Sequence, residues 1–548
     1  MSSQSLSVNN RWKSKWIISY LNHFNKKTLL VFLVILIGAW LRFYYIGAGL
    51  PEVVYVDAFK FVDNARHIVR TGFLEPQEFQ YPGFYTYLLA VIYRVLGINS
   101  DYGFHLTARI VSALFGTGLI YLTYLSALRV CSYWGALLAA LLVSISIASV
   151  SLSRLPVTDS ILTFFMTTGL WILARQSIHL RHFIAVGFCL GLAVGTKFTG
   201  IYLALFILIT AISCAFRSRN RVLPFQGFAL SILTATIFFL LTTPWIVPKF
   251  SDYYNRFLIE FQIQKFGQIG RIQYGYFDYL ISSTITWEQP WLSTSLLYNT
   301  GPIVLIFGLI ACLIGISSRF GFVPFLYASF VIIYLLLISR PGHLKAFRFL
   351  MPILPSFFIL VGWFIETVIL NQKKLRQNTV SILVVLLLLS IPVYHSFQYV
   401  SMTRLKMTNH HAFDWMKRNV PSDSSVFVTP FFLNNLKNLK LKFMNFQNAG
   451  SRQYRIPNDV RFNTELEPIY SPSLFNILKS SGVEYIVTNS YFDDAFSDIH
   501  ENREWFPKSI DAYAEFRKHL DRETEVVYSI KGYNAGQLGP DISIYKFK

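Results

Sequence analysis

Long apolar runs separated by short polar connections occupy most of the first 400 residues. Eleven of these runs approach or reach the length that a membrane-spanning helix needs, about 20 residues for a hydrocarbon core of about 30 Å. They lie at 28–46, 108–128, 134–152, 158–174, 182–196, 199–216, 225–245, 301–318, 321–339, 350–370 and 379–396. The pattern predicts a polytopic α-helical membrane protein in which residues 1–399 form a domain of about eleven transmembrane helices.

Basic residues give this domain an orientation. Arg11, Lys13, Lys15, Lys26 and Lys27 precede or open the first run, and such residues are retained on the cytoplasmic side. The run is too long for the apolar core of a signal peptide, which indicates an uncleaved helix. We therefore expect the N-terminus to lie in the cytoplasm.

The segment 82–98 is apolar but short, and it contains Arg94. If it crossed the membrane, the basic clusters at 217–221 and 373–376 would lie outside and Asp159 inside. If it is an interfacial helix, both clusters lie in the cytoplasm, as the positive-inside rule requires. We favour the interfacial helix, which makes 47–107 and 246–300 extracytoplasmic loops.

A different pattern begins near residue 400, where short helical segments alternate with strands rich in β-branched and aromatic residues. The predicted helices lie at 411–419, 473–481 and 510–520, and the predicted strands at 425–429, 484–488, 525–530 and 542–547. This alternation is typical of an α/β domain. We expect residues 400–548 to form such a domain on the extracytoplasmic side.

Composition and charge exclude several classes of protein. Charged residues make up 14% and hydrophobic residues 53%, whereas soluble domains carry about 25% charged residues. The net charge is +20, and residues 1–399 contain 30 basic but only 12 acidic residues. Short cytoplasmic loops produce this excess, so we predict no nucleic-acid partner. Three of the four cysteines lie in apolar runs and the fourth, Cys131, lies in the short connection between two of them, so no disulfide framework is indicated.

The twelve acids of residues 1–399 are unevenly distributed in the predicted topology, because all except Glu366 fall on the outer side. Ionisable groups at the membrane are costly and tend to mark functional sites. Asp57 lies in the first outer loop, and Asp159 lies where a span begins. A solvated loop acid and a helix N-cap are the structural alternatives, but two acids at the outer ends of separate helices indicate a shared site.

Four cations could face these acids. Lys197 lies between two spans and could point into a cavity that opens outward. The structural alternative is that its side chain extends to the lipid headgroups. His343, Lys345 and Arg348 precede the last outer-end helix, where Arg can bind a phosphate through two parallel hydrogen bonds. Contact with anionic lipids without catalysis is the alternative for this cluster.

These segments carry a family resemblance. In order they are Leu41-Arg42, Gln80-Tyr-Pro-Gly-Phe-Tyr, Ser153-Arg-Leu-Pro-Val-Thr-Asp159, Gly195-Thr-Lys197 and Phe347-Arg348-Phe-Leu-Met-Pro. The chain resembles the GT-C integral-membrane glycosyltransferases of the dolichyl-phosphate-mannose–protein mannosyltransferase type, which include the lipid A aminoarabinose transferase. The tail segments Trp415-Met-Lys-Arg, Gly482-Val-Glu-Tyr and Gly539-Pro-Asp-Ile resemble the outer domain of bacterial members. Asp57-Ala58 departs from the Asp-Glu that the family often has, and Pro82-Gly83 from its Pro-Pro.

The resemblance implies transfer of a sugar from a polyprenyl-phosphate donor to an acceptor hydroxyl outside the cytoplasm, with inversion at the anomeric carbon. The acceptor would be a lipid, a glycan or a protein. The protein itself would be located in the inner membrane of a bacterial cell. No cofactor is required, although a divalent ion held by Asp57 and Asp159 is an open alternative; no His/Cys/Asp cluster has metal-ligand spacing.

Each candidate residue has an expected role in that reaction. Asp57 is the expected general base, and Asp159 would orient it or the substrate. Arg348 and Lys197, with His343 and Lys345, would stabilise the phosphate that leaves. Tyr81 and Tyr85 would line the sugar site.

The competing hypothesis is a transporter or flippase of lipid-linked sugars. Such proteins commonly bind their substrate near the middle of the membrane, at broken helices or between repeats. The candidate residues here lie at outer helix ends and a folded outer domain follows, which favours an enzyme. The sugar, the acceptor and the length of the lipid cannot be read from the sequence.

Overall fold

The structure, a computed structural model, describes most of the chain. The described residues are 26–50, 56–176, 179–267, 275–282, 285–286, 289–293, 295–339, 342, 344–370, 379–429, 441–444, 470 and 473–548. The predicted basic cluster at 373–376 and His343 therefore lie outside the described residues, as does most of the N-terminal basic segment.

Helices dominate the described residues that precede residue 403. The longer ones are Lys26–Phe43, Val56–Thr71, Phe84–Val95, Asp101–Ala127, Tyr133–Ile145, Ile147–Ser153, Asp159–Leu173, Leu180–Thr196, Leu203–Arg217, Leu223–Thr242, Phe250–Phe266, Pro302–Gly315, Phe322–Ser339, Leu354–Phe364 and Thr379–Met402. The 3-10 segments Phe198–Tyr202 and Phe347–Ile353 lead into two of them. All eleven apolar runs that predicted spans fall on helices of this set.

The predicted number of spans is not confirmed within the described part of the chain. Six helices are long and apolar enough to cross a membrane, namely Asp101–Ala127, Phe198–Arg217, Leu223–Thr242, Phe322–Ser339, Phe347–Thr367 and Leu383–Met402. The pair Tyr133–Ile145 and Ile147–Ser153, bent by 55°, would be a seventh. Other apolar helices, such as Asp159–Leu173, have 10–17 residues and rise at most about 26 Å at 1.5 Å per residue. The membrane architecture is confirmed, whereas a count of about eleven is not.

The segment 82–98 forms the helix Phe84–Val95, whose 12 residues rise only about 18 Å. It is too short to cross the hydrocarbon core alone. One face buries Tyr85, Leu89 and Tyr93, while Val95 on the other face is 77% exposed. This amphipathic character agrees with the helix that we favoured from the charge pattern; its depth in a membrane stays a prediction.

Three buried arginines bind backbone carbonyls at and beyond the C-terminal end of the helix Lys26–Phe43. Arg42 donates to the carbonyls of Gly38 and Ser144 at 2.9 and 3.1 Å. Arg154 donates to the carbonyl of Leu41 at 2.8 Å, and Arg109 binds the carbonyls that follow, at 46 and 48. Cations near a helix C-terminus compensate its unsatisfied carbonyls, so these arginines fix the direction in which the chain leaves toward Asp57.

Beyond the bundle, two sheets are present among the described residues. Strands β1 (Ile285–Thr286) and β2 (Gln289–Ser293) form an antiparallel hairpin within the 246–300 loop. The C-terminal sheet contains β3 (Ser425–Val428), β4 (Lys442–Met444), β5 (Tyr485–Asn489), β6 (Thr524–Ile530) and β7 (Ile542–Phe547), in the order β4-β3-β5-β7-β6. β3 is parallel to β4 and β5, and β7 is antiparallel to β5 and β6.

The helices of the tail cover this sheet and were largely predicted. They are Thr408–Asn419, Leu474–Ser480, His500–Trp505 and Pro507–Glu523. All four strands predicted here are present, but β4, a strand of only 3 residues, was missed. The loop at Leu538 joins the core of the bundle, and its carbonyl accepts from the amide of Thr408 at 3.0 Å.

Candidate active site

Asp57 lies in the first turn of the helix Val56–Thr71, not in an open loop as the sequence suggested. It is only 7% exposed. Its Oδ1 pairs with Nζ of Lys60, one helical turn later, at 3.2 Å. Its Oδ2 accepts from the guanidinium of Arg348 and from the hydroxyl of Tyr81, the latter at 3.3 Å. The carboxylate is therefore bonded to two cations and a phenol.

Arg348 reaches Asp57 from the 3-10 segment Phe347–Ile353, which leads into the helix Leu354–Phe364. The next residue, Phe349, connects it to a second cation. The centroid of the Phe349 ring lies 5.6 Å from Cζ of Arg348 and 5.0 Å from Nζ of Lys197, within the range of a cation–π interaction. The two cations predicted for a phosphate site are thus brought to one aromatic ring.

Lys197 forms an ion pair with Asp159, with 2.9 Å between Nζ and Oδ1. The Lys197 side chain is 12% exposed and that of Asp159 only 3%, so Lys197 does not extend to lipid headgroups. The N-cap of the helix Asp159–Leu173 is Thr158, without a side-chain cap. The structural alternatives for both residues therefore do not apply.

The remaining predicted cations do not join Arg348 in the described part of the chain. Nζ of Lys345 binds the carbonyl of Gly275 and, at 3.3 Å, the carboxylate of Asp278. The lysine side chain is only 2% exposed, so it fastens the 275–282 segment to the bundle and offers little to a substrate. His343 lies outside the described residues.

The two predicted tyrosines have different surroundings. Tyr81 donates to Asp57 and stacks near Phe61, with 4.9 Å between ring centroids. Tyr85 is fully buried behind Phe61, and its hydroxyl bonds to the carbonyl of Ala108 at 2.9 Å and to Ser112 at 3.0 Å. The expectation that Tyr85 lines the sugar site is corrected, because its hydroxyl is used within the core.

Two charged residues near Asp57 were missed. Lys60 could have been found from its i,i+3 spacing to Asp57, which places both on one helix face. Glu260, on the helix Phe250–Phe266, accepts a hydrogen bond from the side chain of Gln80. No local signal connects Glu260 with the site, since 180 residues separate it from Gln80.

The charges around Asp57 decide its protonation. Burial by itself would raise the pKa of Asp57, but the charges of Arg348 and Lys60 outweigh it and hold the pKa well below the ordinary value. Burial raises the pKa of Glu260; the positive charge of Lys60 lowers this pKa in part, and the negative charge of Asp57 raises it further. Burial and the nearby Asp57 carboxylate raise the pKa of Tyr81. At neutral pH Asp57 is an anion with weak basicity, and Tyr81 keeps its proton.

Two clefts lie near Asp57, although Asp57 itself lines neither of them. The first, which we call the polar cleft, is lined by Lys60, Asn64, Gln80 and Tyr81, with Tyr253 from the helix Phe250–Phe266 as an aromatic wall. The second, which we call the apolar cleft, has no charged residue among the described residues of its lining. Its lining consists of Thr199, Tyr202, Gln264, Tyr334, Leu337, Ile338, Gly342, Leu344 and Phe349. Lys60, which pairs with Asp57, lines the first cleft, and Phe349, which lies beside Arg348, lines the second.

A divalent ion held by Asp57 and Asp159 stays an open alternative. Asp57 and Asp159 are each bonded to a cationic side chain. In the described part of the chain no three His, Cys, Asp or Glu side chains are grouped to hold a metal. An ion would have to displace a lysine or an arginine from each carboxylate.

Comparison with known proteins agrees with the resemblance seen in the sequence. Residues 80–263 match the family model described as dolichyl-phosphate-mannose–protein mannosyltransferase. This range contains Tyr81, Asp159, Lys197 and Glu260, but neither Asp57 nor Arg348. No curated protein sequence matches the chain.

Several solved structures share the fold. AglB, an oligosaccharyltransferase from Archaeoglobus fulgidus in complex with an inhibitory peptide and a dolichol-phosphate, is 13% identical over 94% of this chain and 74% of its own, with a TM-score of 0.55. ArnT from Cupriavidus metallidurans in the apo state is 14% identical over 97% of this chain and 98% of its own, with a TM-score of 0.52. The structure of ArnT from Cupriavidus metallidurans bound to undecaprenyl phosphate is 14% identical over 94% of this chain and 97% of its own, with a TM-score of 0.50. The family match and these neighbours are GT-C glycosyltransferases, which confirms the resemblance at the level of the fold.

Proposed function

We propose that this protein is a membrane glycosyltransferase that moves a sugar from a polyprenyl-phosphate donor to an acceptor hydroxyl, with inversion at the anomeric carbon. One observation carries the proposal: a buried carboxylate, Asp57, is bonded to the guanidinium of Arg348, and residues in contact with this pair line a polar and an apolar cleft. A base and a phosphate-binding cation in such a position are the groups that this reaction needs.

The donor would enter from the apolar cleft. Leu337, Ile338 and Leu344 offer the first isoprene units an apolar surface. The phosphate would then lie beside Phe349, within reach of Arg348 and Lys197. Arg binds phosphate oxygens through two parallel hydrogen bonds, and both cations would stabilise the charge that grows on the leaving phosphate.

The acceptor would enter from the polar cleft. Its hydroxyl would donate a hydrogen bond to Asp57, near Lys60 and Tyr81. In the transfer step the acceptor oxygen forms a bond to the anomeric carbon from the face opposite the phosphate, and the bond from that carbon to the phosphate oxygen breaks. The hydroxyl proton passes to Asp57, and the bonding electrons leave with the phosphate. Attack from the opposite face gives the inverted product.

The charge pattern supports an orientation with the N-terminus in the cytoplasm and the catalytic end and residues 400–548 outside, and the family resemblance implies the inner membrane. The acceptor then belongs to the cell envelope and is a lipid, a glycan or a protein. The alternative of a flippase gains no support, since the bonded charges lie at helix ends beside a folded tail and not within a pathway through the bundle.

Lipid analysis tests the proposal. Deleting the gene should cause a polyprenyl-phosphate sugar to accumulate, measured by mass spectrometry of extracted lipids. The parent protein should remove the accumulated lipid, and so should the matched control Asp63→Asn, which changes an exposed acid on the same helix. Asp57→Asn should not. An unchanged lipid profile in the deletion strain, or complementation by Asp57→Asn, contradicts the proposal.

A further inference from the structure

We propose that Arg348 changes partner when the donor binds, leaving Asp57 for the lipid phosphate, and that Lys60 holds Asp57 in place as the base. The inference rests on the proposed function and adds to it a positioning residue, Lys60, and an order of events. Without donor the Asp57 carboxylate occupies the place that the phosphate later takes on Arg348.

The bonds around Asp57 are divided between its two oxygens. Oδ1 bonds to Lys60, and Oδ2 bonds to Arg348 and Tyr81. Loss of Arg348 would therefore leave one cation on Oδ1 and one phenol on Oδ2. The carboxylate would keep its orientation but lose half of the positive charge that opposes its protonation.

The exchange follows from the relative strengths of the two partners. Arg348 donates only Nη1 to Asp57 in the described contacts, whereas a phosphate can accept two parallel hydrogen bonds from one guanidinium. Arg348 also contacts the ring of Phe349, which lines the apolar cleft. Lys197 contacts the same ring. A phosphate there would bind both cations at once, which a carboxylate on the other side of Arg348 cannot do.

Lys60 is placed to remain with Asp57. It lies one turn later on the same helix, and its ammonium is 5.9 Å from the centroid of the Tyr81 ring. It borders the polar cleft, away from the proposed phosphate position. The consequence is an ordered reaction: Asp57 is a weak base until donor is present, so an acceptor hydroxyl is not activated in an empty site.

Binding of undecaprenyl phosphate to the full-length protein in lipid nanodiscs tests the exchange without knowledge of the acceptor. Asp57→Asn removes the competing carboxylate charge and should tighten binding about ten-fold. Glu260→Gln is the matched control, because Glu260 lies in the same field but bonds to Gln80 and not to a cation; its binding should stay within about two-fold of the parent. Lys60→Gln leaves Asp57 with Arg348 as its single cation and should weaken binding at least three-fold, with recovery in Lys60→Arg.

Each result decides something. Equal affinity in Asp57→Asn and the parent, or equal tightening in Asp57→Asn and Glu260→Gln, overturns the exchange and leaves the proposed transferase standing. If Asp57→Asn does not fold, Lys60→Gln carries the test, and unchanged or tighter binding in it overturns the exchange. Absence of undecaprenyl phosphate binding in the folded parent and in all variants overturns both proposals.

Discussion

The guanidinium of Arg348 donates to the carboxylate of Asp57, although the two residues are 291 positions apart in the sequence. One comes from the helix that follows the first span, the other from the segment that opens the helix Leu354–Phe364. The pair joins the predicted base to the predicted phosphate ligand, and the first two of the following predictions depend on it.

The first prediction concerns Asp57. Asp57→Asn keeps the size of the side chain and its hydrogen bond to Tyr81 but removes the base, so sugar transfer should fall about a hundred-fold or more. The measurement is transfer of label from a polyprenyl-phosphate sugar in nanodiscs. The control Asp63→Asn, whose side chain is 37% exposed and pairs with Arg66, should transfer normally. Near-normal turnover in Asp57→Asn would exclude Asp57 as the base.

The second prediction concerns Arg348. Arg348→Lys keeps the charge but loses the planar fork and should retain part of the activity, whereas Arg348→Ala should lose much more. The loss should appear in the use of donor and not in acceptor affinity, because the donor carries the phosphate. Arg94→Ala, which removes an exposed arginine from the helix Phe84–Val95, is the control. If Arg348→Ala used donor as the parent does, Lys197 would become the next candidate for the phosphate.

A third prediction follows from the buried pair of Lys197 and Asp159. Lys197→Met would leave the Asp159 carboxylate, 3% exposed, without its cation, which costs about 3–5 kcal/mol in comparable pairs. Thermal unfolding in detergent should show the loss, and the double variant Lys197→Met/Asp159→Asn should recover most of it. A double variant as unstable as the single one would show that the pair does not act as a unit. If the double variant is stable but inactive, the pair serves the reaction.

The fourth prediction is topological. Cysteines introduced at Asn220 and Lys518, in a background without the four native cysteines, should be labelled from opposite sides of the membrane. The reason is the positive-inside rule applied to the cluster at 217–221, combined with the short helix Phe84–Val95. Labelling of both from the same side would mean that the span count between them, or the assignment of 82–98, is wrong.

The fifth prediction concerns pH and the C-terminal sheet. Burial raises the pKa of Asp493 to about 7, although Tyr470 donates to it at 3.1 Å. In the unfolded chain its pKa is about 3.9, so the folded state binds more protons between about pH 4 and 7. Stability of this region should therefore fall as pH rises through that window. Hydrogen exchange of β5, corrected for intrinsic rates, should show less protection at pH 7.5 than at pH 5, and Asp493→Asn should remove the difference.

Local patterns determined which segments are helical. An apolar run of about 20 residues satisfies its own backbone hydrogen bonds only as a helix in lipid, so the predicted runs and the observed helices coincide. The α/β character of the tail followed in the same way from short-range alternation, with β4 as the exception. The sequence also selected Asp57, Asp159, Lys197 and Arg348, because charged residues are rare and costly in such a chain.

Tertiary structure alone decided which of these charges meet. The sequence suggested that Asp57 and Asp159 share a site; the fold gives each carboxylate its own cation and brings the two cations to the ring of Phe349. It also directs Lys345 to Asp278, buries Tyr85, and brings Glu260 to Gln80. Such pairings depend on how helices far apart in the chain pack against one another, and the energy of an ion pair depends on burial and geometry that no local pattern encodes.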